Sequence, residues 1–304
     1  MVDAQTHLAI VNGAAGGGRC ADLAPAALTR LRGMGVALDE VYTAAPGDAS
    51  RIARDAYASG VRRFIAVGGD GTSYEIINGL MPVAVGASAA DRPCLGFLPL
   101  GTGNSFLRDF GDRGAESAAE ALAHGRTRAC DVVRLEHDEG ELYYLNLLSL
   151  GFVADVAVIA NRRFKKFGAL GYGMGVVMET ASLSTRRIRM RLDGGPLWEQ
   201  DATFVSFCNS RYTGGKMMMA PYADTSDGKL DVVLAAPMGR VALLRAFPRI
   251  FAGTHVHLPT ITCSQARSVE FELPEPIDLM IDGEVERHRP IRLSVVPGAI
   301  DVSV

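Results

Sequence analysis

The stretch Arg63-Phe64-Ile65-Ala66-Val67 runs without a spacer into Gly68-Gly69-Asp70-Gly71-Thr72 and then into a helical pattern from Ser73 to Leu80. Ile76, Ile77 and Leu80 share one face of that helix and would pack on a sheet. Strand, glycine turn and helix in this order bring close-approaching backbone amides and the positive end of a helix to one spot, which is an anion-binding geometry. A glycine turn alone is weak evidence, because many such turns serve only to reverse the chain. A second one follows the next strand, Cys94 to Pro99, as Leu100-Gly101-Thr102-Gly103-Asn104-Ser105-Phe106. Upstream the order is again βαβα: His7 to Val11, a helix ending near Arg32, Ala37 to Thr43, and a helix near Ala49 to Ser59. Asp112 to His124 reads as one more helix. The pattern predicts an open, mostly parallel sheet covered by helices, with its turns gathered at the carboxyl edge where ligands bind.

Asp70 sharpens the reading. A carboxylate between glycines at a phosphate-binding turn repels phosphate unless a metal or a substrate hydroxyl lies between. That role is favoured over a helix N-cap, because Thr72 and Ser73 can cap as well. The chain has no GxxxxGK[ST], and no GxGxxG after its first strand, so neither a Walker-type site nor a nicotinamide fingerprint is present.

From about Asp131 the pattern changes to short period-two or β-branched runs: Leu142 to Leu148, Ile188 to Leu192, Ala202 to Cys208, Leu230 to Ala235, Val269 to Leu273, Ile277 to Ile281 and Ile291 to Val296. Turn residues such as Asp193-Gly194-Gly195 and Asp282-Gly283 separate them, and two helical patterns interrupt, near Leu170 to Leu183 and Val241 to Phe251. An antiparallel, sandwich-like second domain is expected. The predicted architecture is an α/β domain over 1–130 and a β-rich domain over 131–304, with the active site in the cleft between them.

The chain has 304 residues and a net charge of −3, enough length for two domains and no basic excess for a nucleic-acid footprint. Cys20, Cys94, Cys130, Cys208 and Cys263 form no CxxC or zinc spacing and read as buried thiols of a reducing compartment. The first residues show no secretory pattern, so a cytoplasmic location is expected. The apolar run Met81 to Ala90 stops at Asp91, short of a membrane span, so membrane contact would be peripheral. Arg162-Arg163-Phe164-Lys165-Lys166-Phe167 suits either an anionic interface or a solvated basic helix end. Met217-Met218-Met219 reads as core filler rather than an acyl-chain pocket. The six histidines are scattered; His255 and His257 would share a strand face but have no third ligand, so no metal is assigned to them.

The motifs taken together resemble the diacylglycerol and sphingosine kinase catalytic domain: Val11-Asn12-Gly13 with Gly16-Gly17-Gly18, then Thr43 to Ala49, the turn and helix 68–80, and 95–106. The second half resembles the bacterial branch of that family, in Asn209 to Gly215, Ala220-Pro221, Asp227-Gly228-Lys229-Leu230-Asp231 and Ile281-Asp282-Gly283-Glu284. Gly13 departs from the family's usual proline.

The resemblance implies an ATP-dependent lipid kinase using Mg2+, with diacylglycerol the favoured acceptor and a sphingoid base or ceramide the competitor. It places ATP against Asn12, Thr43, the stretch Gly68, Gly69, Asp70, Gly71, Thr72, Ser73 and Tyr74, and Gly101, Thr102 and Gly103, with Glu75 and Asn104 in support. Glu284 becomes the general base, with Asp70 as the alternative, although the residues alone read Asp282-Gly283-Glu284 as a hairpin turn with a solvated carboxylate. A structural magnesium loop would use Asp227 with the carbonyls of Asp224 and Lys229, the competing reading being an ordinary Asp-Gly turn. The implied partners are a lipid substrate and a peripheral membrane surface, with no nucleic acid and a homodimer as the candidate assembly. NAD kinase shares the first glycine turn but differs at 99–104, and a non-catalytic lipid- or nucleotide-binding regulator is the non-enzyme alternative.

Overall fold

A computed structural model describes residues 6–111, 114–159 and 185–304. The chain divides into two compact units, Met1–Val132 with Val296–Val304, and Val133–Val295. Residues 296–304, read from sequence as part of the second domain, belong to the first unit. The reason is pairing: Asp301 and Val302 lie parallel to Cys94 and Leu95.

In the first unit, strands and helices alternate as β1 (His7–Val11), α1 (Arg19–Gly33), β2 (Leu38–Tyr42), α2 (Asp48–Ala58), β3 (Arg63–Gly68), α3 (Asp70–Ala84) and β4 (Cys94–Pro99), followed by α4 (Ala115–His124). The strands pair in parallel in the order β2-β1-β3-β4. The central strands are near-continuous apolar runs because helices cover both faces. Ala9, Val11, Ile65, Val67 and Leu98 pack with Cys20, Ala24, Leu28 and Leu31 of α1. Leu28 and Leu31 are fully buried, and burial of each contributes about 2 kcal/mol. Helices α2 and α3 meet at Gly79, where a Cβ would lie 2.1 Å from the Ser50 carbonyl oxygen.

The second unit is mostly antiparallel. β5 (Thr127–His137) enters it, and β6 (Gly140–Tyr144), β7 (Leu147–Gly151), α5 (Phe152–Ile159), β8 (Arg186–Leu192), β9 (Trp198–Ala202) and β10 (Phe204–Cys208) follow. After the short β11 (Tyr212–Thr213) and β12 (Met217–Met218) come β13 (Leu230–Ala235), α6 (Arg240–Ala246), β14 (Ile261–Ala266), β15 (Ser268–Phe271), β16 (Ile277–Ile281), β17 (Glu284–His288) and β18 (Pro290–Ser303). One sheet runs β14-β13-β10-β7-β16-β17. β15 pairs antiparallel with β8 and with the start of β18, and β8 with β9. Phe207 of β10 meets Phe271 of β15 edge to face at 5.3 Å, joining the two layers.

Several expected elements differ in detail. The run Leu142 to Leu148 is broken between β6 and β7, because a side chain described below captures the backbone there. Ala202 to Cys208 breaks at Thr203, whose N–H and Oγ1 turn to the Ala235 and Ala236 carbonyls. The helix expected over 241–251 changes to a 3-10 helix, Phe247–Ala252, at Pro248. α3 starts at Asp70 rather than Ser73. Cys263 is exposed, unlike the other four thiols, because it lies on the edge strand β14. His255 and His257 lie in a 3-10 turn rather than a strand, and buried His255 bonds the Met219 carbonyl at 3.0 Å. Met217 and Met219 are core residues. The basic stretch 162–167 and the helical pattern 170–183 lie outside the described residues. Among the described residues, no helix is long and apolar enough to cross a membrane.

Candidate active site

Strand register brings the expected nucleotide contacts to one sheet edge. Val11 pairs with Tyr42 and Val67, and Val67 with Leu98, so Asn12, Thr43, Gly68 and the turn after Pro99 leave the sheet side by side. Asn12 Oδ1 accepts the Ala14 N–H at 3.2 Å, and Thr43 donates its N–H to Val11 at 2.9 Å.

The two glycine turns are fused through their backbones. Gly101 donates its N–H to the Gly68 carbonyl at 2.7 Å, and Asp70 its N–H to the Gly103 carbonyl at 3.2 Å. A Cβ on Gly101 would lie 2.6 Å from Gly69 Cα and 2.7 Å from its nitrogen, so only glycine permits this contact. Among the described residues, the N–H groups of Gly69, Gly71, Thr102, Gly103 and Asn104 donate to no protein group. Buried Thr72 Oγ1 also has no partner. Unsatisfied donors gathered at the start of α3 are what a polyphosphate requires. A small hollow beside them is lined by Gly68, Gly69, Asp70, Ser73, Asn104 and Phe106.

Asp70 itself faces the second turn. Its Oδ1 accepts the Ser105 N–H at 2.9 Å, and its Oδ2 accepts the Ser105 hydroxyl at 2.9 Å. The Phe106 N–H also bonds it. The carboxylate thus caps the 3-10 helix Phe106–Phe110. Burial pushes its carboxyl above the ordinary range, and the bonds from Ser105 and Phe106 oppose that shift. Ser73 and Tyr74 are buried, and Ser73 Oγ donates to the Asp70 carbonyl at 2.9 Å. Glu75 Oε2 accepts the Ala49 N–H at 3.1 Å, fixing the start of α2 and the loop after Thr43.

In the second unit, β16 and β17 form a two-residue hairpin in which Asp282 and Gly283 have φ of 49° and 94°. Positive φ at both centres is the type I′ requirement. Asp282 is buried, and its carboxylate accepts the N–H groups of Leu145 at 2.8 Å, Asn146 at 2.8 Å and Leu147 at 3.1 Å. This is the capture that separates β6 from β7. Sequence reasoning gave Asp282 only a turn, and its one available signal was a carboxylate where asparagine would serve a I′ turn equally well. Glu284 follows, half-buried, at the first position of β17. Glu284, Glu286 and His288 alternate onto one face, while Val285 packs on the core.

The stretch 224–231 forms two side-chain-closed turns. Asp224 Oδ1 accepts the Ser226 N–H at 3.0 Å, and Asp227 Oδ1 the Lys229 N–H at 3.0 Å. The donors available to a cation are all oxygen, which matches a hard ion. Asp231, given no role from sequence, is buried beside them. Burial first, then the Asp227 charge, raises its carboxyl.

Comparison with known proteins agrees with these features. Residues 6–135 match the diacylglycerol kinase catalytic domain, and residues 146–304 the YegS C-terminal NAD kinase beta sandwich-like domain. The diacylglycerol kinase of Mycobacterium tuberculosis (strain ATCC 25618 / H37Rv) is 33% identical over 297 residues, covering 97% of this chain and 93% of that protein. A "Probable lipid kinase YegS-like" protein of Xanthomonas euvesicatoria pv. vesicatoria (strain 85-10) is 30% identical, covering 90% of this chain and 89% of its own. Among solved structures, one from Bacillus anthracis str. Sterne superposes with a TM-score of 0.80 at 26% identity, covering 98% of this chain and 97% of that one. The matches span both units, and the chain belongs to the diacylglycerol-kinase-like family of lipid kinases, transferases that phosphorylate an alcohol group of a lipid.

Proposed function

We propose that the protein transfers the γ-phosphoryl group of ATP to the hydroxyl of diacylglycerol. The observation that carries this reading is the amide-lined pair of fused glycine turns, together with the activity named for the Mycobacterium tuberculosis relative. Gly69, Gly71, Thr102, Gly103 and Asn104 offer neutral N–H donors to the phosphates, so charge is met without a lysine of the Walker type. Asp70 holds the second turn in place and acts as a positioning residue, since its oxygens serve Ser105 and Phe106. Glu284 accepts the acceptor hydroxyl's proton, and Asp282 fixes the hairpin from which it projects.

Magnesium fits as the partner of ATP, and in the 224–231 loop, where Asp227 and the carbonyls of Asp224 and Lys229 would hold it. When bound there, the ion would neutralise clustered carboxylates beside β13. The experiment is to incubate the purified chain with labelled ATP, magnesium and either NAD or mixed micelles of diacylglycerol, ceramide or sphingosine, and to identify the product by mass spectrometry. Phosphatidic acid is expected; labelling of a sphingoid lipid or of NAD alone would overturn the reading.

For docking, we propose that α6 and the 3-10 turn after it rest on an anionic bilayer. Val241, Leu244 and Phe251 are exposed. Arg240, Arg245 and Arg249 are exposed between these side chains and have no ion-pair partner among the described residues. No carboxylate occurs between Asp231 and Glu270. Apolar side chains interleaved with unpaired arginines suit an interface of anionic headgroups.

A further inference from the structure

Two histidines that lie 151 positions apart in sequence meet at one end of the second unit. His137 ends β5, His288 ends β17, and their rings stand 3.9 Å apart at 38°. Both are largely enclosed, with side-chain exposures of 6% and 14%. Carboxylates surround them. Glu139 Oε2 lies 3.2 Å from His288 Nδ1, Glu286 Oε2 3.1 Å from His288 Nε2, and Asp138 Oδ1 3.9 Å from His137 Nδ1. One ligand atom each from His137, Asp138 and His288 lies within 4.8 Å of the others, the single such group among the described residues. None of these side chains has a part in the phosphoryl-transfer chemistry described above.

The structure assigns this cluster, we infer, as a site for a borderline divalent cation of the zinc class, with His137, His288 and Asp138 as ligands and Glu139 or Glu286 completing the set. Mixed imidazole and carboxylate donors match zinc-like ions, whereas magnesium and calcium take oxygen donors. Buried His288 Nδ1 has no hydrogen bond although a carboxylate oxygen is close. The Asp138 turn is already fixed, since Arg289 donates its N–H to Asp138 Oδ1 at 3.0 Å and Asp138 donates its own to the Arg289 carbonyl at 3.2 Å. The donors must close on one another for ligand bonds of about 2.0–2.2 Å. Glu139 is exposed and can swing to do so, whereas Asp138 must exchange the Arg289 N–H for the ion.

The consequence concerns β17. The ion would pin the end of the strand to the β5–β6 turn, four residues from Glu284, or about 13 Å along an extended chain. It is therefore a structural clamp on the strand and stands apart from the reacting atoms.

The test uses the untagged full chain stripped with a chelator, on a Cys263→Ser background because that thiol is exposed. Zn2+ is titrated against a chromophoric competitor, Co2+ absorption reports coordination, and thermal melts are recorded with and without Zn2+. One equivalent of Zn2+ is expected, with a tetrahedral Co2+ spectrum and a raised melting temperature. Binding should weaken at least 100-fold in His288→Gln and in His137→Gln, both checked for a wild-type apo melt, and be unaffected by excess Mg2+ or by Asp227→Asn. Absence of stoichiometric binding by the parent chain overturns the site, whatever the variants do. Equal binding by a folded His288→Gln chain overturns it as well and leaves the cluster a polar contact of His288 with Glu139 and Glu286.

Discussion

Replacing Asp70 with alanine should cost stability as well as activity. The carboxylate receives the Ser105 N–H, the Ser105 hydroxyl and the Phe106 N–H, and Ser105 is buried. Hydrogen bonds to a charged group contribute about 1.5–3 kcal/mol each, and stranding a buried donor costs about 1–3 kcal/mol. Desolvation of the carboxylate, visible in its raised pKa, offsets part of that sum. We expect a net loss of about 2–4 kcal/mol, which for a unit of this size lowers the melting temperature by roughly 5–15 °C. Asp70→Asn keeps one acceptor and should lose about half as much. The assay is calorimetry at neutral pH on Asp70→Ala, Ser105→Ala and the double variant, whose cycle should give a coupling of at least about 1 kcal/mol. A carboxylate at a surface turn that served only a metal or substrate would leave the melt close to wild type when removed. An Asp70→Ala melt within about 1 °C of wild type would uphold that view and refute the clamp.

Glu284→Gln should preserve folding and ATP binding while turnover falls by about two to four orders of magnitude, with the lipid KM changing much less; steady-state kinetics with a separate ATP titration decides it. Gly101→Ala forces the fused turns apart and should abolish ATP binding by isothermal titration, whereas Gly17→Ala, where a Cβ meets nothing within 4 Å, should be milder despite its positive φ. Burial holds the His7 and His255 imidazoles below the ordinary histidine range. The unfolded chain then binds more protons than the folded one below about pH 6.5, so stability present above that pH is lost as pH falls, and less so in His255→Gln, as denaturant melts from pH 7.5 to 5.5 can show. Leu244→Glu should reduce co-sedimentation with phosphatidylglycerol vesicles severalfold while leaving phosphorylation of short-chain, monomeric diacylglycerol intact.

How much was legible in the sequence follows the range of each interaction. The strands Cys94–Pro99, Leu230–Ala235 and Ile277–Ile281 could be read to the residue, because apolar runs and flanking turn residues carry local signals. The two glycine turns were equally visible, and parallel register predicted their adjacency. What escaped was long-range polar pairing. Nothing in the neighbourhood of Leu145 announces that a carboxylate 137 positions later takes its N–H, so the break between β6 and β7 reads as one strand. Nothing in the turn around Asp70 shows that its carboxylate also holds Ser105, 35 positions later. His137 and His288 are unremarkable singly, and only the fold makes them a pair.

The path of β18 bears on how the chain is made. The edge of β4 is completed by Asp301 and Val302, with Arg92 paired to Asp301 at 3.2 Å and Val304 donating to the Arg126 carbonyl at 3.0 Å. During synthesis the first unit therefore emerges early yet waits through some 160 residues for its closing strand. Until then it presents an unpaired parallel edge, the kind of surface that invites association with other nascent chains. Removing the segment 296–304 should leave aggregates rather than a smaller kinase.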